Sequence, residues 1–411
     1  MQTNLAAFIR DTPAGREADA ILRKCVHCGF CNATCPTYQL LGDELDGPRG
    51  RIYLVKQVLE GAIPSAKTQR HLDRCLTCRA CETTCPSGVK YARLADIGRR
   101  LVEERVARGA LESAWRRALN AVIPRPALFG SLLFMGRLVR PLLPVSLARM
   151  IARRTRARRW PETTHARRML VLEGCVLPSL SPATNAAAAR VLDRLGISLV
   201  RARGAGCCGA VTYHLNLQEQ ALDSMRRNID AWWPHIERGA EAIVITASGC
   251  GITVKEYGHL LRHDPAYAEK AQRVSQLARD IGEILAAERG KVVSLFDRPA
   301  ETRNPVRVFH APCTLQHGMK LKGLVEELLA VAGFHLAPVP DAHLCCGSAG
   351  TYSLLQPDLS QRLLRNKIAA LASANPCEIL TANIGCQAHL QSATELTVRH
   401  WIEALDEQLL P

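Results

Sequence analysis

Hydrophobic and polar positions fall into two regimes along the 411 residues. In the first part the spacing is helical. Between residues 49 and 61, Ile52, Val55, Val58 and Leu59 recur on one helical face and Gly61 closes the stretch. Residues 68–75 predict a second helix and residues 101–119 a third, basic one. Beyond it, Pro124, Pro126, Pro141 and Pro144 are expected to break the pattern into short apolar pieces such as residues 128–135. From about residue 165 onward, strand-like runs at 169–173, 197–202, 242–246, 306–310 and 378–381 alternate with helical stretches such as 216–232 and 359–371. That alternation predicts α/β units with mostly parallel sheets.

Cysteine spacing divides the chain in the same way. Cys25, Cys28, Cys31 and Cys35 precede Pro36, and Cys75, Cys78, Cys81 and Cys85 precede Pro86. Both runs read C-x2-C-x2-C-x3-C-P, 50 residues apart. A second repeat follows. Cys175 precedes Cys207-Cys208-Gly209 by 32 positions, Cys313 precedes Cys345-Cys346-Gly347 by the same 32, and Cys250 and Cys386 close the two units. The expected fold is a multidomain α+β chain. A mainly helical two-cluster ferredoxin-type domain takes residues 1–100 and a basic helical connector takes 101–165. Two pseudo-symmetric α/β cysteine-rich units then take 166–300 and 301–411. Cys377 has no counterpart and reads as plain structure.

An apolar fraction of 47% excludes disorder as a global description. No apolar run approaches the roughly 18 residues of a spanning helix. Residues 1–19 carry no export-signal pattern, so the expected location is the cytoplasm. Thiols stay reduced there, and 17 cysteines therefore point to metal rather than to disulfides. The net charge of +15 is concentrated: residues 86–168 hold 19 Lys or Arg against 5 Asp or Glu. Such a basic segment reads either as a solvated or partner-covered linker or as a docking surface for an anionic membrane face or an acidic partner subunit, rather than as a nucleic-acid site.

Three cysteines spaced by two can wrap one cubane cluster, and the fourth, before proline, serves the neighbouring cluster in two-cluster proteins. The expected ligand sets are Cys25, Cys28, Cys31 and Cys85 for one [4Fe–4S] cluster, and Cys75, Cys78, Cys81 and Cys35 for the other. A pair of zinc sites is the alternative. Cys175, Cys207, Cys208, Cys250, Cys313, Cys345, Cys346 and Cys386 form a candidate further metal or redox site, with inert buried thiols as the alternative. Residues 204–209 match G-x-G-x-x-G, but the second unit keeps only its Cys-Cys-Gly and no ribose-binding acid follows, which argues against a nucleotide. No P-loop and no catalytic triad is visible, so no catalytic residue is expected in this chain. His27 reads as an exposed spacer. His310, His317, His343 and His389 read as loop residues, with His389 the nearest to a ligand candidate.

The stretches CVHCGFCNATCPTYQLLGDELDGPRGRIYLVKQVLEG and HLDRCLTCRACETTCPSG resemble the iron–sulfur subunits of bacterial glycolate oxidases. So do GAGCCGAVTYHLN, NIDAWWP, TASGCG, LCCGSAGTY, TANIGCQ and VRHWIE. The likeness runs over nearly the whole chain and is loosest in the basic connector. More distantly similar are the third subunit of anaerobic glycerol-3-phosphate dehydrogenase and heterodisulfide reductase subunits. The resemblance implies an electron-transfer subunit, inactive alone, whose flavoprotein partners carry FAD and oxidise glycolate to glyoxylate. It further implies delivery of electrons to quinone or another membrane acceptor, at the inner face of the cytoplasmic membrane. Heterodisulfide-type thiol chemistry, or electron transfer from lactate or glycerol-3-phosphate, is the alternative. The fullest cysteine-rich pattern ends C-x2-C; here Thr253 follows Cys250 and His389 follows Cys386. The multi-cysteine clusters of heterodisulfide reductases would thus lack a ligand in each unit.

Overall fold

The computed structural model describes residues 1–144, 151, 157–296 and 305–409. Its contacts form two compact units, one of Met1–Arg117 with His343–Lys367 and one of Ala118–Ala342 with Ile368–Pro411.

The first unit is helical. Helix Pro13–Lys24 begins with proline in its first turn, and the Thr12 side chain accepts a hydrogen bond from the Gly15 amide. Helix Pro48–Leu59 buries Ile52, Val55, Val58 and Leu59, the face that the spacing predicts. Each such side chain contributes about 1.5–3 kcal/mol by leaving water. Helix Tyr91–Arg105 crosses it at Gly98, where a Cβ would stand 2.4 Å from a Val55 methyl. Helix Ala66–Asp73, capped reciprocally by Ser65 and Thr68, delivers the chain to Cys75. The single basic helix expected over residues 101–119 is instead two, Tyr91–Arg105 and Ala110–Val122. The break lets Arg108 turn inward, where its side chain is 4% exposed and meets Asp73, Glu103 and Glu112 at 2.6 Å each. Residues 343–367 join this unit through the Tyr352 hydroxyl, which donates to the Arg74 carbonyl at 3.2 Å, and Arg362, which donates to the Leu40 carbonyl at 2.8 Å.

The second unit holds two four-stranded parallel sheets. The first contains β1 (Arg167–Val171), β2 (Ile197–Arg201), β3 (Ile243–Ile245) and β4 (Ala278–Asp280), in the order β2-β1-β3-β4. The second contains β5 (Arg307–His310), β6 (Leu336–Ala337), β7 (Glu378–Thr381) and β8 (Thr397–His400), in the order β6-β5-β7-β8. The sequence repeat is therefore a repeat of topology. The inner strands β3 and β7 are buried along their whole length, as expected where helices cover both faces of a sheet. Val171, Ile197, Val244, Phe309, Leu380 and Trp401 belong to one core shared by both sheets.

Strands β4 and β8 carry no alternation that predicts them, and each ends in a side chain that caps the next helix. Asp280 accepts from the Gly282 amide and His400 from the Ile402 amide. Burial pushes Asp280 up to about 7 and His400 down to about 4, in both cases towards the neutral form. His400 also donates to the Thr246 carbonyl at 2.7 Å, tying the end of β8 to the end of β3.

Pro126 does not break the connector. It opens helix Pro126–Val139, because the N–H that proline lacks would be unpaired in a first turn anyway. The apolar pieces expected between prolines thus form one 14-residue helix that buries none of its residues. No single described helix is long and apolar enough to cross a membrane. Arg149, Arg153, Arg154 and Arg156 of the arginine run lie outside the described residues; Arg158 and Arg159 are exposed.

Glu378 opens β7 between Arg307 of β5, at 2.5 Å, and Arg399 of β8, at 2.6 Å. Burial raises its pKa, and hydrogen bonds from both guanidiniums more than offset this, leaving it lowered. Because the folded value is depressed, the stabilisation is complete above the ordinary glutamate value of about 4.3 and disappears as pH falls through the lower, folded one. Glu378→Gln should cost about 3 kcal/mol at pH 7. Urea unfolding of both proteins should show that gap narrowing below pH 4, and a pH-independent gap would refute the electrostatic account.

Candidate metal centres

The two N-terminal cysteine runs fold alike, residue for residue. In the first, His27 (φ 62°) and Gly29 (φ 88°) adopt left-handed backbone; in the second, Thr77 (φ 53°) and Arg79 (φ 62°) do so at the equivalent positions. Three of these four have side chains, so the conformation is strained and must be held by its surroundings. Its effect is to turn each loop around a small volume and aim amides inward. The Thr77 amide donates to Cys75 Sγ at 3.4 Å, and the His27 amide does the same for Cys25. Short helices Phe30–Ala33 and Ala80–Thr84 then carry Cys31 and Cys81, and the last cysteine of each run directly precedes its proline.

The loops enclose two basins. Cys25, Cys28, Cys31 and Cys85 line one, while Cys35, Cys75, Cys78 and Cys81 line the other, with Cys81 also reaching the wall of the first. Each basin thus takes three cysteines from one run and the final cysteine from the other. All eight are free thiols, and four converging sulfurs are the donor set of a cubane cluster. The residues present fit that group.

Their surroundings differ. Cys28 is exposed, and Val26 and Phe30 beside it are 69% and 61% exposed. Burial pushes the Cys31 thiol up to about 11. Cys75 is the opposite case. Burial raises it most, yet the Arg51 and Arg99 guanidiniums, with the Thr77 amide and Tyr91 hydroxyl, bring it below the ordinary thiol value. Cys81, where burial and then the neighbouring thiols act most strongly, is raised well above that value.

In the first cysteine-rich repeat the sulfurs come together at the carboxyl ends of parallel strands, where α/β folds place their sites. Cys175 follows β1, Cys207 and Cys208 follow β2, and Cys250 lies in helix Ser248–Lys255 after β3. Hydrogen bonds join Cys175 to Cys207, Cys207 to Cys208, and Cys208 to Cys250. Cys207 accepts from both neighbours, which holds its pKa low and pushes those of Cys175 and Cys208 up. The Cys-Cys backbone is clamped from below: Asn228 donates to the Cys207 carbonyl at 2.9 Å and Tyr257 to the Cys208 carbonyl at 2.9 Å. Glycine closes the motif for a steric reason. Gly209 has φ 90°, and a Cβ there would press to 3.0 Å from the Ala221 carbonyl oxygen. Gly347, with φ 91°, would place one 2.7 Å from that of Ser360.

In the second repeat, Cys313 and Cys386 belong to the second unit, whereas Cys345 and Cys346 belong to residues 343–367 of the first. His310, at the end of β5, brings a ring nitrogen within 4.8 Å of Cys386 Sγ. The sequence favours His389 over it, because His389 occupies the place of a missing cysteine whereas His310 sits inside an apolar strand. Asn228 and Tyr257 carry no sequence signal for their clamp beyond lying in a buried helical pattern. The glycine-rich stretch at 204–209 is not a phosphate cradle: the Gly206 amide donates to Asn228 Oδ1 at 2.8 Å and the Gly209 amide to Cys207 Sγ at 3.4 Å. His27 reaches the Arg49 carbonyl at 3.3 Å rather than a sulfur.

The model of the 4Fe-4S dicluster domain matches residues 21–89, and that of the cysteine-rich domain matches residues 169–255 and 307–391. The chain is 29% identical over 403 residues to the probable glycolate oxidase iron-sulfur subunit of Bacillus subtilis (strain 168), covering 91% of this chain and 89% of that one. It is 28% identical over 216 residues to lactate utilization protein A of Bacillus licheniformis, covering 52% of this chain and 85% of that one. To the glycolate oxidase iron-sulfur subunit of Escherichia coli (strain K12) it is 58% identical over 410 residues, covering 100% of this chain and 99% of that one. Identity at that level along the whole length, over both kinds of cysteine site, means that the chain belongs to the family of glycolate oxidase iron–sulfur subunits.

Proposed function

We propose that this chain is the electron-transfer subunit of a flavin-dependent glycolate oxidase, in which FAD-bearing partner subunits convert glycolate to glyoxylate. The observation that carries the proposal is the crossed lining of the two basins, each with three cysteines of one run and the fourth of the other. It supports two [4Fe–4S] clusters, held by Cys25, Cys28, Cys31 and Cys85 and by Cys75, Cys78, Cys81 and Cys35. Such clusters, when bound, exchange one electron at a time, which suits a chain placed between a two-electron flavin and a quinone or other membrane acceptor. The connected thiols of Cys175, Cys207, Cys208 and Cys250 support a further metal or redox centre.

The connector supports peripheral docking on an anionic membrane surface. Helix Pro126–Val139 leaves Leu128, Leu132, Phe134, Met135, Leu138 and Val139 exposed, beside Arg125, Arg137 and Arg140. Apolar side chains entering the interface add to roughly 1 kcal/mol from each basic residue near an anionic leaflet.

Cys28→Ser and Cys78→Ser should each remove about one cluster's worth of iron and interrupt electron transfer in the complex; full iron in either variant would overturn the ligand sets. The purified chain, free of flavin, should not reduce an artificial dye with glycolate, and turnover by it alone would refute the division of labour. The complex should float with anionic liposomes in a salt-sensitive way. Changing Arg153, Arg154, Arg156, Arg158 and Arg159 to Gln should weaken that flotation. Equal flotation of both proteins, or of neither, would remove the membrane assignment of the arginine run.

A further inference from the structure

The two basins differ in the charge that surrounds them, through side chains that are not ligands. Arg51 lies on the wall of the basin of Cys35, Cys75, Cys78 and Cys81, with its side chain 1% exposed. It donates to the His71 carbonyl at 2.7 Å and to Thr37 Oγ1 at 3.2 Å, and that hydroxyl lies 3.3 Å from Cys35 Sγ. Arg99, 9% exposed, donates to the Cys75 carbonyl at 2.6 Å and to Thr77 Oγ1 at 3.0 Å. Arg79 is the second guanidinium on the wall that Arg51 lines, and Arg74 adjoins Cys75. Acids near them include Asp46, fully buried and shared among Arg51, His71 and Arg74, and Glu82, which accepts from the Ala92 amide. Of these side chains the buried ones are two guanidiniums, Arg51 and Arg99, and one carboxylate, Asp46. At the other basin the cations are Arg49 on the wall, which Glu44 neutralises through contacts of 2.6 and 3.0 Å, and the Met1 ammonium, which donates to the Cys25 carbonyl at 2.6 Å.

We propose that Arg51 and Arg99 give the cluster site of Cys35, Cys75, Cys78 and Cys81 the higher reduction potential of the two, making it the resting place of an electron that enters at the exposed Cys28 side. The inference rests on the two-cluster proposal above. One electron, supplied by the reduced flavin of a partner subunit, passes from the outer site to the inner; the outer is oxidised, the inner reduced, and no bond or proton moves. Reduction adds negative charge to a set of thiolate-bound irons, and net charge and hydrogen bonding near the sulfurs govern its potential. Burial alone would act against the inner site, because desolvation disfavours added charge. Fixed guanidiniums act in the favourable direction, and a low-dielectric interior strengthens them in proportion to the same burial. Two of them are hydrogen-bonded to Thr37, beside Cys35, and to the backbone of Cys75 itself, so their charge acts on ligand positions drawn from both cysteine runs. The inner site is also the one with a neighbour further along. Tyr352, six residues beyond Cys346, donates to the Arg74 carbonyl next to Cys75 and lies within the field of Cys345. Arg51 and Arg99 are positioning residues in this scheme, acting through the field at the ligand sulfurs.

The test is a potentiometric titration of the anaerobically purified holo complex, followed by paramagnetic resonance, after iron analysis. Fewer than eight irons per wild-type chain would defeat the two-cluster proposal itself. With eight or more present, the two N-terminal sites of wild type should reduce in two resolved steps. Arg99→Gln should lower the higher midpoint with little change in the lower, and Arg99→Lys should restore most of the difference. Arg74→Gln, at a half-exposed position that leaves Asp46 less neutralised, should act in the same direction and covers the case in which Arg99→Gln loses iron. Arg49→Gln should leave the higher midpoint in place. Equal displacement of both steps, displacement of the lower alone, or no displacement in the iron-replete variants would overturn the assignment.

Discussion

An amide two positions after a cysteine turns back to donate to that cysteine's sulfur in both N-terminal runs and in both Cys-Cys-Gly loops. His27 does so for Cys25, Thr77 for Cys75, Gly209 for Cys207 and Gly347 for Cys345. A thiolate in a protein interior needs such donors, since burial by itself favours the protonated form. Meeting the requirement forces left-handed backbone at or beside these positions, and left-handed backbone must be braced. In the first unit the brace is the crossing of Pro48–Leu59 and Tyr91–Arg105 at Gly98. In the second it is the Asn228–Tyr257 clamp beneath the Cys-Cys backbone. The two parts of the chain, helical and α/β, are thus different answers to one demand placed on sulfur.

The amino-acid pattern makes much of this legible, for identifiable reasons. Strand β7 spans the predicted residues 378–381, and helix Pro48–Leu59 presents the predicted face, because both elements bury a periodic apolar set. The repeated spacing of 32 residues translates into repeated strand order, since equal chain lengths between parallel strands favour equal crossovers. What escapes the pattern is decided by single polar contacts. Arg108 splits a helix that periodicity runs together, because three carboxylates await it off the helical path. Pro126 starts a helix instead of stopping one, a matter of register that composition cannot express. Strands β4 and β8 are three and four residues long and are recognisable mainly through the caps that end them.

The same limit governs the candidate sites. Cysteine spacing groups three of the cysteines that line each N-terminal basin, because short loops leave little choice of partner, and the pattern of two-cluster proteins supplies the fourth. It does not foresee the proximity of His310 to Cys386, which depends on how β5 and β7 align as neighbours in the sheet. Nor does it reveal Arg51 or Arg99, since arginine on a helix ordinarily reads as a solvated face. Only their hydrogen bonds to Thr37 and to the Cys75 carbonyl turn two surface-like residues into part of a buried electrostatic environment.

Cys35 and Cys85 each complete the basin that the other run begins. Neither half of the N-terminal domain, taken alone, possesses a full set of four converging sulfurs. If the two runs descend from one ancestral segment, a single copy could have closed its own site only by embracing a second molecule of itself. The tandem arrangement then amounts to a dimer fused head to tail. Fusion would have freed each half to diverge, one acquiring an exposed rim around Cys28 and the other a shell of buried arginines. Interlocking, in this view, is what made asymmetry between two formerly identical centres accessible to mutation.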